Sequence, residues 1–279
     1  MCHLATIRRY EEQEDMYRII HLSFQISLCS DLQELLQAFF RDFKAEGVDQ
    51  PHKLFTGSWR LPTAAQYLGL SPQALDGSEH SYVLVKLIRN KGTKTASGNI
   101  RLDSEAAAAA SQVKAGDGEA ILKFVKTYGT HYFKSVTVGD AIYQVFAISK
   151  EQFQSLSQNY GRSRTLSLND WPVVYEKYLA PWLVKETGEI RATSGDGALQ
   201  SFMDQQLRIE GQFGSYPNLI EGLMRNPGNV QTLEELTSQT SAVIGLDFAT
   251  LRDFFPSIEV REFYDETFAA QSALWEANI

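Results

Sequence analysis

Residues 117–149 read DGEAILKFVKTYGTHYFKSVTVGDAIYQVFAIS, and two periodicities meet inside them. In the first half Ile121, Phe124, Val125 and Tyr128 recur at three- and four-residue steps, which is one face of a helix. Asp117 can accept hydrogen bonds from the first turn, and Glu119 suits the positive end of the helix dipole. Lys123 and Lys126 sit nearer the other end. Gly129 fits the stop, because glycine tolerates the positive φ that ends many helices. Residues 131–149 then read as extended chain, bent at Gly139-Asp140. A helix delivered directly into a long bent strand predicts a mixed fold.

Working outward, residues 81–88 (SYVLVKLI) are apolar on both strand faces, which predicts a strand covered on both sides. Residues 20–28 alternate and read as another strand. Residues 31–46 follow a helical template through Leu32, Leu35, Leu36, Phe39, Phe40 and Phe43, with Ser30 or Asp31 as cap and Gly47 as stop. Pro51, Pro62 and Pro72 restrict the next segment to short helices and turns. Residues 90–97 have turn chemistry, and residues 98–102 are expected to return as the second arm of a hairpin. An alanine-rich helix starts at Ser104. Helical pieces are expected around 151–158, 171–185 and 199–206, a strand near 207–213, and a helical piece ending at the Asn226-Pro227-Gly228 turn. A last helix over about 257–278 places Val260, Phe263, Tyr264, Thr267, Phe268, Leu274 and Trp275 on its buried side.

The chain has 279 residues, with 26 lysines and arginines against 34 acidic residues, a net charge of −8 and a pI near 5.2. That balance speaks against a general nucleic-acid binder, which needs surplus cations for phosphate contacts. Mean hydropathy is −0.25, and no run of about 18 apolar residues occurs. Cys2 and Cys29 can form one bridge or stay as two thiols, and the sequence leaves both open. The N-terminus has no apolar signal core, since Arg8 and Arg9 are followed by the acidic run of residues 11–15.

No nucleophile elbow, phosphate loop, HExxH pair or calcium loop is present, and the five histidines have no metal-ligand spacing. The expectation is a protein that is not an enzyme and needs no cofactor or metal. One charge feature stands out. Lys86, Arg89, Lys91, Lys94 and Arg101 follow one another without an intervening acid. On a hairpin tip they would suit anionic head groups or sulfated glycans, or simply be solvated. Arg162 and Arg164 form a smaller basic loop with the same two readings.

The segment Tyr128-Gly129-Thr130-His131-Tyr132, followed by Gly139, resembles the signature of the membrane-attack-complex/perforin (MACPF) superfamily. That signature usually carries a Gly-Gly pair, and here the second position is Asp140. The string Tyr216-Pro217-Asn218-Leu219-Ile220, continuing to Asn226-Pro227-Gly228-Asn229-Val230, resembles a further element of the superfamily. Within it the chain is similar to the Torso-like proteins of arthropods. The strings QAFFRDF (37–43), FTGSW (55–59), SYVLV (81–85), YQVF (143–146) and LWEAN (274–278) carry that likeness.

The resemblance implies an α+β fold: a MACPF-like bent, four-stranded, mostly antiparallel sheet flanked by two helical clusters at about 30–80 and 150–205. Residues 1–19 would be a lead-in lacking its upstream part, and residues 20–279 a single domain. It implies a secreted developmental signalling factor acting in activation of the Torso receptor tyrosine kinase and in embryonic terminal patterning. Its partners would be an extracellular protein of that pathway, ligand or receptor, and an anionic membrane surface or eggshell matrix. The alternative within the superfamily is a pore-forming, membrane-disrupting protein. Against it, a membrane hairpin needs two alternating stretches of about 9–11 residues. Residues 31–46 are helical in pattern, and prolines 51, 62, 72, 172 and 181 interrupt both clusters. Tyr128, Gly129, Thr130, His131, Tyr132 and Gly139 are read as structural signature residues, His131 included, because no acid or nucleophile accompanies it. Trp59 is either buried or part of a partner surface.

Overall fold

Strands appear where the sequence alternates or is apolar on both faces. The computed structural model describes residues 3–6, 22–75, 79–96, 100–161, 166, 168–212 and 214–277. Its strands are β1 (His3–Thr6), β2 (Ser23–Cys29), β3 (Phe43–Ala45), β4 (His80–Thr95), β5 (His131–Ser149), β6 (Glu186–Thr187), β7 (Arg191–Ala192), β8 (Arg208–Gly211), β9 (Gly214–Pro217) and β10 (Ala242–Thr250). Eight of them share a sheet in the order β1-β2-β4-β5-β10-β3, with β6 and β7 paired to β5, while β8 and β9 pair separately. The helices are α1 (Leu32–Phe39), α2 (Lys53–Thr56), α3 (Leu61–Leu68), α4 (Pro72–Leu75), α5 (Ser104–Gln112), α6 (Gly118–Tyr128) and α7 (Lys150–Tyr160). They continue with α8 (Trp171–Val174), α9 (Gly197–Gln206), α10 (Leu219–Met224), α11 (Pro227–Gln239) and α12 (Ile258–Ala277).

The chain divides into two compact units. The first holds residues 1–41, 59–92 and 137–244. Its sheet is covered on both faces, as the double-sided apolar pattern of β4 requires. Val83, Val85 and Leu87 of β4 and Ile142, Phe146 and Ile148 of β5 pack with Leu156, Trp171, Leu199, Leu219 and Leu233 of the later helices. The alternate residues Tyr82, Leu84, Tyr143, Val145 and Ala147 pack with Leu35, Ala38, Ala65, Leu68 and Leu75 of α1, α3 and α4. Each strand thus serves two cores through its period of two. The two helical clusters anticipated at 30–80 and 150–205 occupy opposite faces, and the second extends to Gln239.

The second unit holds residues 42–58, 93–136 and 245–279. Its core joins Ala110, Val113, Ile121 and Phe124 to Leu251, Phe255, Val260 and Tyr264. Here β3 lies parallel to β10, pairing Phe43 with Leu246 and Ala45 with Phe248.

Local signals set the helix ends. Asp31 accepts from Glu34 N–H at 2.9 Å and opens α1, and Asp117 accepts from Ala120 N–H at 3.0 Å and opens α6. Asn226 accepts from Gly228 N–H at 3.0 Å, with Pro227 as the first residue of α11. The Asn-Pro-Gly turn is therefore the cap of a thirteen-residue helix.

Several expectations are corrected. The helix from residue 31 stops at Phe39, and Phe43 belongs to a strand, because parallel pairing to β10 outweighs one more helical turn. Of the returning arm expected at 98–102, the described residues 100–102 are not strand. Strand β4 runs on to Thr95 beside β5, and residues 97–99 lie outside the described residues. The strand expected near 207–213 is present as β8, but among the described residues it pairs with β9 and not with the main sheet, and Phe213 lies outside the described residues. The fourth long strand of the main sheet is instead β10. On α12, Leu274 and Trp275 are exposed, whereas Val260 and Tyr264 are buried.

Candidate functional site

The signature begins in the second unit, at the junction of α6 and β5. Gly129 takes φ 85° and its N–H donates to Val125 O at 2.8 Å, which ends the helix where a side chain would be strained. His131 follows with both ring nitrogens engaged, Nδ1 at 2.8 Å from Thr130 Oγ1 and Nε2 at 2.8 Å from Glu46 O. A carbonyl only accepts, so Nε2 carries the proton and, in the neutral ring, Nδ1 accepts from the threonine hydroxyl. The carbonyl of Thr130 accepts from Leu251 N–H at 3.0 Å and from the Tyr264 hydroxyl at 2.8 Å. Burial pushes the Tyr264 phenol up to about 12. Tyr128 packs on Phe124 and Tyr132 on Phe254, with centroids 5.0 and 5.8 Å apart. This is a bonding and packing knot.

The signature ends in the first unit at Gly139 and Asp140. A Cβ at residue 139 would fall inside contact distance of Arg89 O and 2.8 Å from Ile244 Cδ1, so glycine is needed there for space. Asp140, where the superfamily signature has glycine, is 1% exposed. Its Oδ1 accepts from the Thr240 hydroxyl at 2.6 Å, and its Oδ2 lies 2.9 Å from Lys91 Nζ.

Two of the four cations on β4, Lys86 and Arg89, are turned inward, while Lys91 reaches solvent beside its ion pair with Asp140. Lys86 is 7% exposed, donates to Phe39 O at 2.9 Å and lies over the Phe39 ring, 5.4 Å from its centroid. Arg89 donates to Glu234 O at 2.7 Å and to Thr237 Oγ1 at 2.8 Å. Neither α1 nor α11 has a basic residue in its last turn. The strand supplies both, one on each face, as the odd and even positions 89 and 86 dictate. Lys94 and Arg101 are exposed, and both fall in the second unit. Five cations on one hairpin tip is thus not the arrangement found. Arg162 and Arg164 lie outside the described residues.

Trp59 is half-buried and stacks flat on Tyr67, with centroids 4.6 Å apart and planes 6° apart, while Phe40 meets it edge-on at 5.8 Å. Tyr67 is 51% exposed, so the pair presents an aromatic surface.

Sequence reasoning missed two polar anchors. Gln144 is 1% exposed and donates to Gly188 O at 2.9 Å and Pro217 O at 2.8 Å, while accepting from Leu219 N–H at 2.9 Å. Asn229 donates to Gly222 O at 2.8 Å and Gln206 O at 3.2 Å. A glutamine inside the apolar run of residues 141–148 was the only available signal for the first. An open cleft of about 260 Å³ lies between β8 and the α10–α11 elbow. Its arginines are committed, Arg208 to Ser215 and Glu189 and Arg225 to Glu221. Among the described residues no group of three or more His, Cys, Asp or Glu gathers as a metal site, and no helix is long and apolar enough to cross a membrane.

Comparison with known proteins gives the following. The family model of the MAC/Perforin domain matches residues 82–175, which hold most of β4 and all of α5, α6, β5, α7 and α8. Among solved structures, GNIP1Aa from Chromobacterium piscinae aligns with a TM-score of 0.52 at 9% identity, over 98% of this chain and 47% of that one. A protein described as a cell invasion protein with a MAC/Perforin domain, from Bacteroides thetaiotaomicron, aligns with a TM-score of 0.39 at 13% identity, over 95% of this chain and 51% of that one. The chain spans about half the length of these structures. No curated protein matches the sequence. The domain match lies in the middle of the chain, and the likeness to GNIP1Aa is one of fold.

Proposed function

We propose that this chain is a secreted, non-enzymatic signalling factor of the MACPF superfamily. It is Torso-like in kind, acting extracellularly in Torso receptor tyrosine kinase activation and embryonic terminal patterning. In this reading it works by binding: an extracellular protein partner through the aromatic surface of Trp59 and Tyr67, and an anionic membrane or eggshell matrix. The observation that supports it best is the fastening of both helical clusters to the central strand, Lys86 to the end of α1 and Arg89 to α11. Clusters held on the sheet in the free chain suit a protein that binds, and their prolines break the alternation a membrane hairpin needs.

Dye release from phosphatidylserine vesicles, with co-flotation scored in the same tubes, tests this reading. Flotation without release, or partner capture that Trp59→Ala weakens, supports it. Release together with ring-shaped oligomers on lipid would replace it with the pore-forming reading.

A further inference from the structure

Asp140 occupies a position that binding of a partner does not explain. A carboxylate 1% exposed is costly unless paired, and here both oxygens are spoken for. One holds Thr240, in the two-residue link between α11 and β10. The other meets Lys91, whose side chain keeps 22% of its surface exposed. Two residues earlier on β4, and on the same face, Arg89 grips α11 through Glu234 O and Thr237 Oγ1. Thr237 passes the contact into the helix by donating to Leu233 O at 2.7 Å. Two strand cations and one buried acid therefore close the end of α11 and its link to β10 against the sheet.

We propose that Lys91, Asp140 and Thr240, with Arg89, form an electrostatic latch on the end of α11, and that an anionic surface opens it by taking Lys91. The asymmetry of the pair carries the second half of this statement. Lys91 can be reached from solvent and Asp140 cannot. A competing anion can therefore pair with the lysine, leaving Asp140 buried, uncompensated and held only by Thr240. A glycine at residue 140 would offer no carboxylate to lose. The proposal deepens the anionic-surface part of the function proposed above, giving its cations a regulated task in place of a free patch.

Hydrogen–deuterium exchange over residues 227–241 reads the latch directly. In the full chain alone this segment should be protected. Thr240→Val, which removes the hydroxyl without unpairing a charge, and Asp140→Asn should each speed exchange there by about tenfold or more while β2 stays protected. Vesicles containing phosphatidylserine should speed it in the native chain, and phosphatidylcholine vesicles should not. Unchanged exchange in Thr240→Val overturns the latch, and no response to phosphatidylserine overturns the trigger. The reading stays separable from the function proposed above. Faster exchange with dye release keeps the latch and rejects the binding-only role, whereas unchanged exchange rejects the latch whatever the vesicles release.

Discussion

Gly139→Ala isolates one contact. The backbone there does not take a positive φ, so the substitution adds a methyl group without demanding an unusual conformation. The added Cβ would sit 2.8 Å from Ile244 Cδ1 and 3.1 Å from the carbonyl carbon of Arg89, with that carbonyl's oxygen closer still. Carbon–carbon contact becomes comfortable at about 3.5 Å, so the Arg89 peptide must recede by at least about 0.4 Å. Ile244 can rotate away, but a strand backbone cannot move without stretching the ladder bonds beside it. Overpacking costs about 1–3 kcal/mol, and two weakened ladder bonds add about 1 kcal/mol each, which gives a loss of about 3 kcal/mol or more. In urea, with an m-value of about 3 kcal/mol/M, the midpoint should fall by about 1 M. Gly118→Ala is the control: at the first position of α6 nothing lies within 4 Å, so it should be neutral or gain up to about 1 kcal/mol. A Gly139→Ala midpoint equal to the native one would refute the claim that this signature glycine is there for space.

Gln144→Leu leaves three buried main-chain groups at Gly188, Pro217 and Leu219 without a partner, so thermal melting should reveal a loss of about 3 kcal/mol or more. Burial holds the phenols of Tyr82 and Tyr264 up to about 12 against an ordinary 10.0. A raised folded-state value means stability is intact below pH 10 and is lost as pH rises from 10 toward 12. Tyrosinate absorbance should therefore lag behind that of free tyrosine until the chain unfolds. Charge reversal separates the cations of β4: Lys86→Glu should destabilise the fold as judged by circular dichroism, whereas Lys94→Glu should melt within about 0.5 kcal/mol of the native chain. His131→Ala unties Thr130 and the Glu46 carbonyl and should cost about 2 kcal/mol, seen as a lowered unfolding temperature.

Period and capping made much of this fold legible. The double-sided apolar run of β4, the Asp117 and Asp31 caps and the glycine stop of α6 each act within a few residues, and each lies where the pattern puts it. Long-range pairing was not legible in the same way. Strand β10 carries Ile244, Leu246 and Phe248 at alternate positions, but with Gly245 and Asp247 between them the run is too short and too mixed to announce itself. Phe43 fits a helical period and is nevertheless recruited by β10, a partner that local periodicity cannot reveal. The candidate site shows the same division. A run of cations without acids reads as a solvent-facing patch only while its partners are unknown, and those of Lys86, Arg89 and Lys91 are Phe39, Glu234 with Thr237, and Asp140. The burial of Asp140 has no local sequence signal at all.

The second unit is assembled from three separate stretches of chain, and this has a kinetic consequence. Glu46 accepts from the N–H of Thr250, 204 residues later, and among the described residues β3 pairs with β10. Closing so long a loop is slow, and a nascent chain leaving the ribosome must extend through residue 250 before β3 can pair fully. Until then the apolar side of α6 lacks Leu251, Phe255, Val260 and Tyr264, which share its core in the folded unit. Folding in the cell should accordingly lean on holding chaperones. A stop codon placed before residue 245 would strip the second unit of β3's partner and of α12, while leaving every segment of the first unit translated.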